Sequence, residues 1–224
     1  MLLLAPAPAI EKLTVATTQW HPYSYEESGV QRGISTEFVK KIIKDSGYTY
    51  EIQQYPWARS YQKAVNEKNT LLYSIVRTPE RENHFHWIGQ VAPPIRSYLV
   101  KLKSNNQIST NQLIQLSQYK IGVTRDGVDQ HILTDAGFRN LIPNTHRGLS
   151  VQQLIVGRVD MVVLTEEELM KAKVYDVNVE QLEKVTLLNE NGVYLAMSKK
   201  SDVALVERLT SSYKRLKLEG EIKF

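Results

Sequence analysis

The 224-residue sequence predicts an α/β fold of two lobes, each a mainly parallel sheet flanked by helices, joined by two crossing strands. Over the first hundred residues, short β-branched runs alternate with amphipathic helical runs, the pattern of parallel strands covered by helices. The same alternation restarts after the polar stretch Ser104-Asn105-Asn106-Gln107, which reads as a crossover. Two further strand-like runs, Val185 to Leu188 and Val193 to Ser198, then carry the chain back before a closing helix. The first lobe is therefore expected at 11–100 plus 190–224 and the second at 101–189, with 1–10 outside the fold.

Taken in order, Leu13 to Thr17 is a short strand running into the loop Thr18-Gln19-Trp20-His21-Pro22-Tyr23. Gly33-Ile34-Ser35-Thr36 opens a helix whose Phe38, Val39, Ile42 and Ile43 share a face, and Gly47 stops it. Tyr48 to Gln54 is a strand, and Pro56-Trp57-Ala58-Arg59 starts a helix through Val65, proline being tolerated in a first turn. The apolar strand Leu71 to Val76 runs into Arg77, a Thr-Pro turn and Arg81, followed by an aromatic strand, Phe85 to Ile88. Tyr98 to Lys103 alternates as a strand. In the second lobe, Ser109 to Ser117 is read as helix, Tyr119 to Thr124 as strand and Gly127 to Asp135 as helix. Asn140 to Ile142 is a strand edge, and Ser150 caps a helix ended by Gly157. Asp160 to Leu164 is a buried-type strand, Thr165 to Lys173 a helix, and Ser201 to Leu218 the closing amphipathic helix.

Composition narrows the function less than the pattern does. A formal charge of +4 with scattered basic residues gives no stripe for nucleic acid, so no nucleic-acid partner is expected. With no cysteine, disulfides and thiolate catalysis are excluded. No segment is apolar for long enough to span a bilayer as a helix. Met1 to Ala9 reads as the tail of an apolar export signal ending in Ala-Pro-Ala, which predicts an exported, periplasmic protein. No metalloprotease, nucleophile-elbow or phosphate-loop motif is present, and His84 and His86 lack a third metal ligand at a useful spacing. No enzyme activity, metal or cofactor is expected.

The segment Tyr73 to Gly89 carries the most chemistry. It places Arg77 and Arg81 at the end of a strand, where open α/β sheets form their ligand crevice. Arginine offers a planar fork matched to a carboxylate, and its charge does not titrate away. The order of strand, Thr78-Pro79-Glu80-Arg81 and aromatic strand resembles the carboxylate-anchoring segment of bacterial periplasmic solute-binding proteins, family 3, the polar amino-acid-binding type. Gly33-Ile34, Pro56-Trp57-Ala58-Arg59, Lys120-Ile121-Gly122-Val123, Gly157-Arg158-Val159-Asp160 and Tyr194 to Lys200 extend the resemblance from about Lys12 to the end.

That resemblance implies the type II periplasmic binding fold and capture of a small carboxylate-bearing metabolite, an amino acid or a relative of one, by hinge closure. The implied partner is a membrane ABC permease, and the protein itself a monomer. Alternatives on the same fold are a ligand-sensing partner of a membrane signalling receptor and a dehydratase of cyclic carboxylic acids, the latter needing Glu166 or Asp126 as proton carrier. The resemblance places Arg81 on the ligand carboxylate, worth about 1.5–3 kcal/mol as a charge-assisted contact. It places Trp20 as an aromatic wall with Tyr23 beside it, and Ser74 on the strand edge. Arg77 either adds a second cation or points outward, and Arg59 either faces the cleft or solvates its helix. From the second lobe, Arg125 and Gly127 lie between a strand and a helix N-terminus, a natural anion site. Thr165 stands where the family carries the acid that pairs the ligand's ammonium. With Glu168 three residues on, Thr165 also reads as the cap of a capping box.

Overall fold

The computed structural model describes residues 12–171 and 175–224. The apolar start at Met1 to Ala9 and the expected helix end at Lys173 lie outside them. The chain runs through β1 (Lys12–Thr17), a hairpin of β2 (Tyr25–Glu27) and β3 (Val30–Arg32), α1 (Ile34–Ser46), β4 (Thr49–Gln54), α2 (Trp57–Asn66) and β5 (Thr70–Val76). A 3-10 segment, Pro79–His84, leads into β6 (Phe85–Leu102). There follow β7 (Ile121–Thr124), α3 (Val128–Asp135), β8 (Leu141–Asn144), α4 (Arg147–Ile155), β9 (Met161–Thr165), α5 (Glu166–Met170), β10 (Leu182–Ser198) and α6 (Val203–Leu218).

Eight strands form one sheet in the order β4-β1-β5-β10-β6-β9-β7-β8. β1 pairs parallel with β4 and β5, and β7 pairs parallel with β8 and β9. Between these parallel blocks, β6 and β10 run antiparallel to each other. β5 pairs with the Val193–Met197 end of β10, while β9 pairs with Ser97–Val100 of β6. One long strand pair thus belongs to both lobes, and the architecture is two-lobed α/β as expected.

The buried faces follow the period of two, stepped by one residue in β5 at Ser74, which β10 skips. Leu71 and Tyr73 of β5 pack with α1 and α6 through Val39, Ile42, Ile43 and Leu209, while Leu72 and Ile75 pack toward α2 through Trp57 and Ala64. All of β5 is buried, which is why it reads as a continuous apolar run instead of alternating. In the second lobe Val162 and Leu164 meet α4 through Val151 and Leu154, and Met161 and Val163 pack on the opposite face with Leu133 and Phe138. Each large aliphatic side chain buried in this way contributes about 1.5–3 kcal/mol. Gly89 lies under the ring of Tyr213, where a Cβ would collide with it, and this lets α6 seat on β6.

Several expected elements differ. The separate strands Phe85 to Ile88 and Tyr98 to Lys103 are one 18-residue strand, and the two return runs are one 17-residue strand. Pro93 and Pro94 suggest a break, but they fall where the β6–β10 register shifts between Asn191 and Val193, so their missing N–H groups cost no ladder bond. Ser109 to Ser117 is not an α-helix; only Leu113–Gln118 winds, as 3-10, with Leu113 and Leu116 three residues apart on the core. Ser150 lies inside α4, whose N-cap is His146, and its hydroxyl accepts from Asn144 instead. The β2–β3 hairpin was not expected; Ser28 and Gly29 turn it with successive positive φ angles, as a primed hairpin turn requires.

Candidate functional site

The C-terminal ends of the parallel strands of both lobes converge on one cavity, the position at which open α/β sheets bind ligands. β1 delivers Thr18 and Trp20, β5 delivers Ser74, Val76 and Arg81, β7 delivers Thr124, Gly127 and Asp129, and β8 delivers His146 and Arg147. Trp57, from the first turn of α2, closes one side. The cavity volume is about 50 Å³.

Arg81 is held by its surroundings before any ligand arrives. It is 6% exposed, Nη1 donates to the Val76 carbonyl at 3.0 Å, and the guanidinium lies over Trp57 and Tyr61 at 5.0 and 5.4 Å. Nη2 reaches the Asp126 carbonyl across the cleft at 3.5 Å. Among the described residues no carboxylate comes within ion-pair distance of Arg81; burial therefore pulls its pKa down, opposed by Tyr61, Asp129 and Glu80. A desolvated guanidinium without a counter-ion is costly, and an anion entering the cavity relieves that cost. Ser74 sits beside it on a bulge: β10 skips this residue between Tyr73 and Ile75, and its φ of 60° is left-handed. Its buried Oγ and the Trp20 Nε1 have no hydrogen-bond partner among the described residues. A ligand in the cavity would give both a partner.

Arg147 is the opposite case. Nη2 donates to Asp129 Oδ2 at 2.6 Å, Nη1 to Glu168 Oε2 at 3.2 Å and to the Val163 carbonyl at 3.0 Å. Its guanidinium stacks on Trp20 at 5.3 Å. Burial would lower its pKa, but Glu168 and Asp129 outweigh that and raise it. The acids are themselves held from behind: Asp129 Oδ1 accepts from Asn189 at 3.0 Å and Glu168 Oε1 from Tyr175 at 2.6 Å.

The expected site residues separate into three groups. Arg81, Trp20, Ser74 and Gly127 line the cavity. Tyr23 and Thr165 are buried behind it: the Tyr23 hydroxyl donates to Glu167 Oε2 at 2.7 Å, and Thr165 forms a complete capping box with Glu168. Arg77, Arg59 and Arg125 do not line it. Arg77 pairs with Glu82 and lies over Trp87, Arg59 lies over Tyr55, and Arg125 is exposed. The acids weighed for proton transfer are also away from the cavity wall, Glu166 being paired with Lys184 at 2.6 Å. Arg147 and His146 were not anticipated from the sequence, because no cap or motif marks His-Arg-Gly as a helix start. No motif in the sequence marks Trp57 or Asp129 as cavity residues; each comes from the first turn of a helix and reaches the cavity only on folding. His84 binds Tyr61 through Nδ1 at 2.7 Å, and among the described residues no metal-binding cluster is present.

Two α/β lobes on a shared antiparallel strand pair, with a buried cationic and aromatic cavity between them, define a periplasmic-type solute-binding fold. The chain belongs to the bacterial extracellular solute-binding proteins, family 3, which it matches over residues 13–223. Among solved structures it is similar to a histidine kinase sensor domain resembling periplasmic binding proteins, at TM-score 0.82 and 17% identity over 94% of this chain and 92% of that one. It is also similar to a mutant of ArgBP from T. maritima, at TM-score 0.81, 18% identity, and 94% and 91% coverage of the two chains. A third is AbpA from Streptococcus pneumoniae, an amino acid ABC transporter substrate-binding protein bound to L-arginine, at TM-score 0.77, 22% identity and 94% and 91% coverage. At these identities the likeness is one of fold. A sequence comparison with curated proteins gave no match.

Proposed function

We propose that this chain captures a small carboxylate-bearing solute, an amino acid or a close relative, and presents it to an ABC permease at the outer face of a membrane. The observation that carries this reading is Arg81: a buried guanidinium on the cavity wall with no acidic partner among the described residues. Family membership supports an extracytoplasmic binding role, and the transporter described for AbpA supports the permease as partner. Residues 12–94 and 193–224 serve as one lobe and 95–192 as the other, hinged where β6 and β10 change register near Pro93–Ile95 and Asn189–Val193. This boundary is a few residues earlier than the expected 100/101 because Ser97–Val100 pair with β9. Trp20 and Ser74 complete the first lobe's side of the site, and Gly127 the second's.

A sensor partner of a membrane signalling receptor is the second reading, favoured by the fold shared with a histidine kinase sensor domain. It uses the same cavity and differs in what reads the closed surface.

A thermal-shift panel of amino acids and small carboxylates, followed by calorimetry, tests the shared core of both. A true ligand at a hundred times its dissociation constant raises stability by about 2.7 kcal/mol. Arg81→Met is expected to abolish that shift while the protein stays folded. Undiminished affinity in the folded variant overturns the role of Arg81.

A further inference from the structure

Arg147 puts the chain's own guanidinium against the cavity's aromatic wall. Its group stacks on Trp20 at 5.3 Å and pairs with Asp129 at 2.6 Å and Glu168 at 3.2 Å. A ligand with a cationic side chain would need such a surface, an aromatic face backed by carboxylates. Here that surface is already covered, and the covering group is of like charge to the ligand it would meet.

The charges around the cavity sum to zero: Arg81 and Arg147 against Asp129 and Glu168. A zwitterion leaves that balance intact. A simple carboxylate on Arg81 leaves one negative charge unmatched, and a basic amino acid adds a positive one beside Arg147. The strand-end residue Thr165 offers no anion for an ammonium, since its hydroxyl accepts from the Glu168 amide at 3.1 Å as a helix cap. Glu168 is engaged by Arg147, Tyr175 and the Thr165 amide. Asp129 is the carboxylate-bearing residue on the cavity wall among the described residues, and each of its oxygens keeps a second lone pair beyond the bonds to Arg147 and Asn189.

We propose that the site selects an α-amino acid with an uncharged side chain, its ammonium held by Asp129 and its basic analogues excluded by Arg147. This rests on the binding role argued above, with Arg81 on the carboxylate. Calorimetry of the full chain with L-alanine, L-serine, propionate and L-arginine separates the two layers. L-Alanine or L-serine is expected to bind roughly 100-fold more tightly than propionate, which lacks the ammonium, and than L-arginine. Asp129→Asn keeps the shape and is expected to bring L-alanine and propionate to within about threefold of each other. Arg147→Gln vacates the cation's place and is expected to gain roughly tenfold for L-arginine. If L-arginine or propionate binds the wild type as tightly as L-alanine, the selectivity proposal fails while the carboxylate anchor stands. If no carboxylate binds at all, the anchor itself fails. The wild-type comparison and Asp129→Asn decide the proposal whether or not Arg147→Gln folds.

Discussion

Arg81 meets two backbone carbonyls and two aromatic rings, while Arg147 meets two carboxylates, so removing them should have unlike consequences. Arg81→Met keeps bulk over Trp57 and Tyr61 and removes a charge whose desolvation is offset by carbonyls and rings but by no paired carboxylate among the described residues. Its stability is expected to change by less than about 1 kcal/mol, or to rise, because an apolar isostere commonly replaces a buried charge without loss. Arg147→Met leaves Asp129 and Glu168 buried without their cation and is expected to cost about 3–5 kcal/mol. Urea midpoints at unchanged slope compare the two directly. Equal losses would mean that Arg81 is also a structural cation. Arg81 was legible in the sequence because a strand, a Thr-Pro turn and an arginine occur contiguously. Arg147 was not, since its partners lie 18 and 21 residues away and meet it only after folding.

The short helix α5 shows how one residue can satisfy a family position and a local rule at once. Thr165 ends β9 and caps α5, its hydroxyl accepting from the Glu168 amide while Glu168 Oε2 accepts from the Thr165 amide. Thr165→Ala is expected to cost about 1 kcal/mol, the usual worth of an N-cap, with ligand affinity unchanged. An affinity loss larger than the stability loss would restore Thr165 to the ligand. β5 carries a second test. Tyr73 is buried in it, 3.0 Å from the Thr36 hydroxyl, and burial pushes its pKa up to about 12. Its stabilising contribution is complete below pH 10, the unfolded tyrosine value, and is lost as pH climbs toward 12, by about 2–3 kcal/mol. Tyr73→Phe is expected to flatten that alkaline decline in a pH series of melting temperatures. The amphipathic helices and buried strands were readable from their periods. The lengths of β6 and β10 were not, because Pro93-Pro94 and Asn189 to Gly192 carry turn chemistry that cross-strand bulges absorb.

Across the whole molecule, the polar contacts between the lobes among the described residues include several at the rim and floor of the cavity. Tyr23 donates to Glu167, Trp57 Nε1 donates to the Asp126 carbonyl at 2.8 Å, and Val128 packs on the first lobe's core. On the hinge reading proposed above, these contacts exist only when the lobes are together, so they set the population of the binding-competent form without touching the ligand. Tyr23→Phe removes a hydroxyl bonded to a carboxylate, an interaction worth about 1.5–3 kcal/mol, and keeps the ring packed on Trp20. A loss of about 1.4 kcal/mol from the closed form alone would weaken apparent affinity by up to about tenfold, and by less the more closed the unliganded wild type is, since that affinity scales with the competent fraction. Small-angle scattering is expected to show the unliganded variant more extended than the unliganded wild type. At saturating ligand the two should return to the same radius, because the cavity contacts are untouched. If the variant instead loses stability with no change in unliganded radius, the Tyr23–Glu167 bond acts within a rigid body and closure must be controlled elsewhere along β6 and β10.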